Sequence, residues 1–146
     1  RDHRLRRGWT AELMVVDTSA LVAALSGEAE AAFVLDALAA DPEPSVSAGT
    51  LLEASIVMQA RYGDEGVRDL NLLIHAAEAT VVPVARDQVD VSVEGFRRFG
   101  KGRHVAGLNY GDLFAYGLAS LRAEPLLFVG DDFAKTDVDA VPAGPA

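Results

Sequence analysis

Two short apolar runs, near opposite ends of the chain, each lead into acid. Met14-Val15-Val16 runs directly into Asp17, and Leu126-Leu127-Phe128-Val129 passes through Gly130 into Asp131 and Asp132. Brief apolar runs without polar alternation read as strands buried on both faces, the pattern of a parallel sheet covered by helices. Helical segments fill the space between. The sequence predicts strands at 13–16, 45–47, 80–84 and 126–129. It predicts helices at 19–26, 28–40, 50–62, 65–78, 87–99 and 109–122, with breaks at Gly27, Gly63 and Gly100 and a turn at Asp41-Pro42-Glu43-Pro44. Pro83 marks 80–84 as an edge or a strand end. Strands alternating with helices specify an α/β fold, a mostly parallel sheet sandwiched by helices.

The 146 residues suit one domain, expected over 14–135. Residues 1–13, RDHRLRRGWTAEL, hold four Arg and the single Trp without periodicity, and are expected to be an upstream or non-native extension before Met14. Residues 136–146 are expected to form a loose tail. No apolar run approaches the ~20 residues a membrane span needs. There is no Cys, which excludes disulfides and thiolate metal sites and fits a cytoplasmic location.

Ligands of open α/β sheets bind beyond the carboxyl ends of the strands, where these acids stand. Asp17-Thr18-Ser19 also has the chemistry of a helix N-cap. Glu53 stands three and four residues before Ile56 and Val57, which predicts that it shares a helix face with the core. A carboxylate there needs a partner, either a metal or an ion pair with Arg61 or Arg86. Asp112 follows Asn109-Tyr110-Gly111; with Asn109 as N-cap it occupies the third helical position, able to close a capping box or to face a cleft. His3, His75 and His104 have no zinc-like spacing. Any metal site is therefore built of oxygen, which selects Mg²⁺ or Mn²⁺.

These segments, in this order, resemble the PIN-domain family and within it the VapC toxins of toxin–antitoxin pairs. The matching pieces are Met14 to Leu21, the Glu53 helix, Gly107 to Asp112, and Leu126 to Phe133. The resemblance implies a metal-dependent endoribonuclease that hydrolyses RNA. It assigns Asp17 and Asp112 as main ligands, Glu53 as a ligand or water-positioning group, and Thr18 or Ser19 as a nearby hydroxyl. The family often has an acid three residues before the aromatic of its closing Asp-Phe pair; Gly130 stands there instead. Asp131 or Asp132 must serve, and Asp132 matches the acid of the pair. The resemblance further implies a homodimer and a small cognate antitoxin. The acidic cleft suits a basic antitoxin segment with an Arg as plug, and its apolar flank is expected beside Leu21, Val22, Leu25 and Phe33.

A net charge of −9 is awkward for an RNA-binding protein. Arg97, Arg98, Lys101 and Arg103 cluster just before the Asp112 segment and are the expected phosphate contacts, with Tyr110 and Phe99 as candidate stacking rings. The competing reading is a non-catalytic acidic α/β module resembling a receiver domain. Asp17 lacks the neighbouring acid such a domain needs, and Gly130 stands where its Lys belongs. A phosphatase of the HAD type would need a second Asp where Ser19 stands.

Overall fold

The computed structural model describes residues 13–142. Its sheet has four strands, β1 (Val15–Val16), β2 (Ser45–Ser47), β3 (Thr80–Val82) and β4 (Leu126–Leu127), in the order β3-β2-β1-β4. Every pairing is parallel, with Val15 opposite both Ser45 and Leu126. Six helices make the crossovers: α1 (Thr18–Leu25), α2 (Ala31–Ala40), α3 (Ala48–Tyr62), α4 (Asp64–Ala76), α5 (Arg86–Phe99) and α6 (Tyr110–Arg122). The α/β sandwich is as the sequence predicts, and β3 is the edge that Pro83 forecasts.

The period of two along a strand divides the core. Met14, Val16, Val46 and Leu127 enter one cluster, which α1 to α4 cover. Val15 and Leu126 enter the other, with Leu108, Ala115, Leu118 and Phe133. Each fully buried Val, Leu or Met stabilises the fold by about 2 kcal/mol. The adjacent strands β1 and β4 are thus held from both faces, which fixes the place of the acids at their carboxyl ends.

Three expectations need adjustment at the margins. Residues 1–12 of the expected extension lie outside the described residues, but Leu13 is buried. The tail from 136 is anchored, because the Leu126 N–H donates to Asp139 O and the Val141 N–H to Leu126 O. Leu21 and Val22 are core residues rather than groove surface, and Leu25 and Phe33 are half-buried against the same core. Among the described residues no helix is long and apolar enough to cross a membrane.

Candidate active site

Asp17 lies one residue beyond β1, in the interior of the sheet. Its N–H donates to Leu127 O at 3.0 Å, which ties it to β4. Its carboxylate caps α1 as the sequence predicts, Oδ2 accepting from the Ser19 N–H at 2.9 Å. The other oxygen, Oδ1, is buried and has no hydrogen-bond partner among the described residues. Burial pushes this carboxyl up from 3.8 to about 6, and the Glu53 charge adds to the rise.

Asp112 sits in the first turn of α6 and is also buried. The capping box forms in full. Asn109 Oδ1 accepts from the Asp112 N–H, and Asp112 Oδ2 accepts from the Asn109 N–H, both at 3.0 Å. Burial lifts the Asp112 carboxyl to about 7 against the opposing effect of that backbone bond, and the charges of Asp17, Asp132 and Glu53 lift it further. Capping occupies one oxygen, so it does not compete with a second role.

Glu53 reaches the site by a route the sequence does not reveal. Ile56, expected to share a core face with it, is 60% exposed. Arg61 and Arg86, its candidate ion-pair partners, bond elsewhere, Arg61 with Glu28 and Arg86 with Asp90. The Glu53 carboxylate instead lies where a Cβ on Gly111 would be, directly before Asp112. The Thr18 hydroxyl donates to Glu53 Oε1 at 2.6 Å. A glycine inside the first turn of a helix, where Ala is favoured by roughly 1 kcal/mol, is the sequence signal of such a close approach. Gly111→Ala is therefore expected to leave the melting temperature unchanged or higher while lowering the cleavage rate at least about tenfold, because the new methyl displaces Glu53. Thermal melts and initial rates on the same preparation check this; unchanged rates would mean that Glu53's position does not matter.

The segment after β4 carries Asp131 and Asp132, the two candidates for a fourth acid, both exposed. Gly130 has φ of +99°, a conformation that side chains other than glycine resist, which explains why no acid stands there. Phe133 is buried against Phe128, ring centroids 5.3 Å apart, and pins the segment. Asp132 is exposed, and its charge acts on Asp112. The segment is also tied to Asp17's helix, as Ser19 Oγ accepts from the Val129 N–H at 3.0 Å.

Of the basic cluster, Arg97 pairs with Glu94 at 3.3 Å and Arg98 with Asp137 at 3.0 Å. Arg103 lies over the Phe96 ring, and neither it nor Lys101 has a carboxylate partner among the described residues. Phe99 is buried against Tyr116 and His104, so it packs; Tyr110 is 79% exposed.

Among the described residues no three His, Asp or Glu side chains are drawn close enough to grip one ion as they stand. The donor chemistry nevertheless fits a hard cation. The donors are all oxygen, one buried oxygen lacks a partner, and the carboxyls destabilise one another's charged forms.

A model of the PIN domain matches residues 14–139. Over 128 residues the chain is 49% identical to a ribonuclease VapC of Mycolicibacterium smegmatis, covering 88% of this chain and 99% of that protein. The crystal structure of Mycobacterium tuberculosis VapC20, described as a sarcin-ricin loop cleaving toxin, superposes with a TM-score of 0.72 at 17% identity, over 88% of this chain and 98% of that one. A toxin–antitoxin complex from Klebsiella pneumoniae matches with a TM-score of 0.63 at 19% identity, over 85% and 92% of the two chains. The family match replaces the receiver-like alternative. On the match from 14 to 139 and an identity near one half over almost all of a relative's length, the chain belongs to the PIN-domain family, among its VapC ribonucleases.

Proposed function

We propose that the chain is the toxin of a toxin–antitoxin pair, a cytosolic endoribonuclease that works with Mg²⁺ or Mn²⁺ held by Asp17, Glu53, Asp112 and Asp132. The observation that carries this reading is the pair of buried carboxyls, Asp17 and Asp112, both raised toward neutral pH and one with an unsatisfied oxygen. A bound divalent cation of this kind activates water and offsets the charge that builds on the phosphate. The protein's part is to fix the donors. Asp17 and Asp112 stand on a central strand end and a helix start, Thr18 and Gly111 set where Glu53 sits, and Phe133 anchors the segment that carries Asp132.

Purified protein is expected to cleave RNA with Mg²⁺ or Mn²⁺ and to stop with EDTA. With water as nucleophile, the products carry 5′-phosphate and 3′-hydroxyl ends. End-group analysis decides the chemistry: cyclic 2′,3′-phosphate products, or cleavage indifferent to chelation, would sink the metal mechanism.

The same reading gives the protein a homodimeric state and a cognate antitoxin; the likeness to the Klebsiella toxin–antitoxin complex supports the second of these. A basic antitoxin segment suits the acids, with an Arg bonding a carboxylate through two parallel N–H groups. Leu52 and Ile56, one turn apart on α3 and both exposed, offer the apolar contact that the buried Leu21 and Val22 do not.

A further inference from the structure

The helix that carries Glu53, α3, is held at its first turn by a side chain from α5. Ser47 caps α3, its Oγ accepting from the Gly49 N–H at 3.3 Å, and its hydroxyl donates to Gln88 Oε1 at 2.7 Å. The other end of the Gln88 amide, Nε2, donates to Pro83 O at 3.4 Å. Ser47 and Gln88 are both buried. We propose that Gln88 is a positioning residue for Glu53, acting through the Ser47 cap and the first turn of α3. This rests on the ribonuclease reading and names a residue outside the acids that sets their geometry.

The chain of contacts is short. A serine hydroxyl has one proton, so giving it to Gln88 leaves the lone pairs for the Gly49 N–H and fixes the direction of the cap. Next in the turn is Thr50, whose carbonyl accepts from the Thr18 hydroxyl at 3.3 Å; the same hydroxyl lies 2.6 Å from Glu53 Oε1. Thr50 and Glu53 stand three residues apart, neighbours along one helix face. A loosened first turn thus shifts both the carbonyl that Thr18 touches and the carboxylate that it holds. On the other side, Phe114 fills the space where a Cβ on Gly49 would be, so the turn is seated between α5 and the helix that bears Asp112. The tolerance is narrow, because the Glu53 carboxylate already stands where a Cβ on Gly111 would be. A misplacement of ~1 Å can cost a reaction on the order of a hundredfold. Ser47 could cap α3 unaided. What a buried amide adds, despite the cost of desolvating it, is a fixed direction for that cap.

The test compares Gln88→Met, which keeps an unbranched side chain and removes both hydrogen bonds, with Gln88→Glu. The latter keeps an acceptor for Ser47 but, ionised, cannot donate to Pro83 O. Mn²⁺ binding is read from the paramagnetic resonance signal of the free ion. Cleavage is read from a random-sequence RNA tagged with fluorophore and quencher, at a temperature where every variant is folded, and stability from melts. Gln88→Met is expected to weaken Mn²⁺ binding at least about fivefold and to lower kcat about tenfold with little change in KM. Gln88→Glu is expected to recover most of both, although it melts no higher than Gln88→Met. In the Gly111→Ala background, where Glu53 is already displaced, Gln88→Met should cost less than about twofold more in kcat. A lower melting temperature with unchanged Mn²⁺ affinity and kcat overturns the proposal, because Gln88 then only satisfies a buried hydroxyl. Losses that multiply with Gly111→Ala overturn it too. The ribonuclease reading fails separately, if the wild-type protein binds Mn²⁺ and leaves RNA intact.

Discussion

Asp112→Asn is expected to lower RNA cleavage by about a thousandfold or more while raising the melting temperature of the metal-free protein by a few degrees. On the proposed mechanism the activity loss follows from removing a charged oxygen donor at a site where a divalent cation would supply several kcal/mol of transition-state stabilisation. The stability gain follows from burial and from the like charges of Asp17, Asp132 and Glu53, all of which oppose ionisation at this position. Asn keeps an oxygen able to accept from the Asn109 N–H, so the capping box at α6 survives and the fold is not the cause of the loss. Asp17→Asn should behave alike, because Asn caps a helix about as well as Asp and can still accept from the Ser19 N–H. Single-turnover cleavage and melts in EDTA separate the two effects. A variant that stays active is not a ligand. One that loses activity together with several degrees of stability was holding the fold.

Stability of the metal-free protein is expected to fall as pH rises from about 5 to 7.5. Asp17 and Asp112 bind their protons more tightly folded than unfolded, since their carboxyls rise from 3.8 to about 6 and about 7. The folded state therefore holds more protons across this window, and stability declines with pH until both groups have ionised. Their stabilising contribution is complete below the unfolded value and is lost as pH passes through the folded ones. For the deeply buried Asp17 alone the loss is on the order of 3 kcal/mol at most. Denaturant titrations at pH 5 and 7.5 in EDTA should show it, and millimolar Mg²⁺ should shrink the difference by stabilising the charged forms. A stability that is flat or rising between these pH values would mean that the two carboxyls ionise freely in the fold.

The strand ends are the legible part of the site. Asp17 can be placed from its apolar run, because a residue just past a buried parallel strand has one place to be, and the second run brings Asp131 and Asp132 to the same edge without choosing between them. Asp112 is legible through local chemistry, as the spacing from Asn109 sets the capping box. Glu53 is singled out by a pattern that fails, since Ile56 faces solvent. What holds it is the approach of α3 to α6, with Thr18 and Gly111 as the contacts, and such long-range packing leaves a faint trace in sequence, here a single glycine. The basic cluster shows the same limit. Its four cations are equivalent in sequence, and the fold engages Arg97 and Arg98 with Glu94 and Asp137. The order of the tail at Asp139 to Val141 is hidden because its partner is backbone.

The strand pairing bears on when during its synthesis this enzyme can become dangerous to the cell that makes it. β1 forms early in the chain, yet its neighbour β4 comes from the far end, with Val15 set against Leu126, and Asp17 is held through Leu127. Contacts so distant in sequence form late. The acids span residues 17 to 132, so a nascent chain still threaded in the ribosome lacks the last strand and the acid beyond it. Until that strand emerges, the segment bearing Asp17 has no Leu127 carbonyl to hold it.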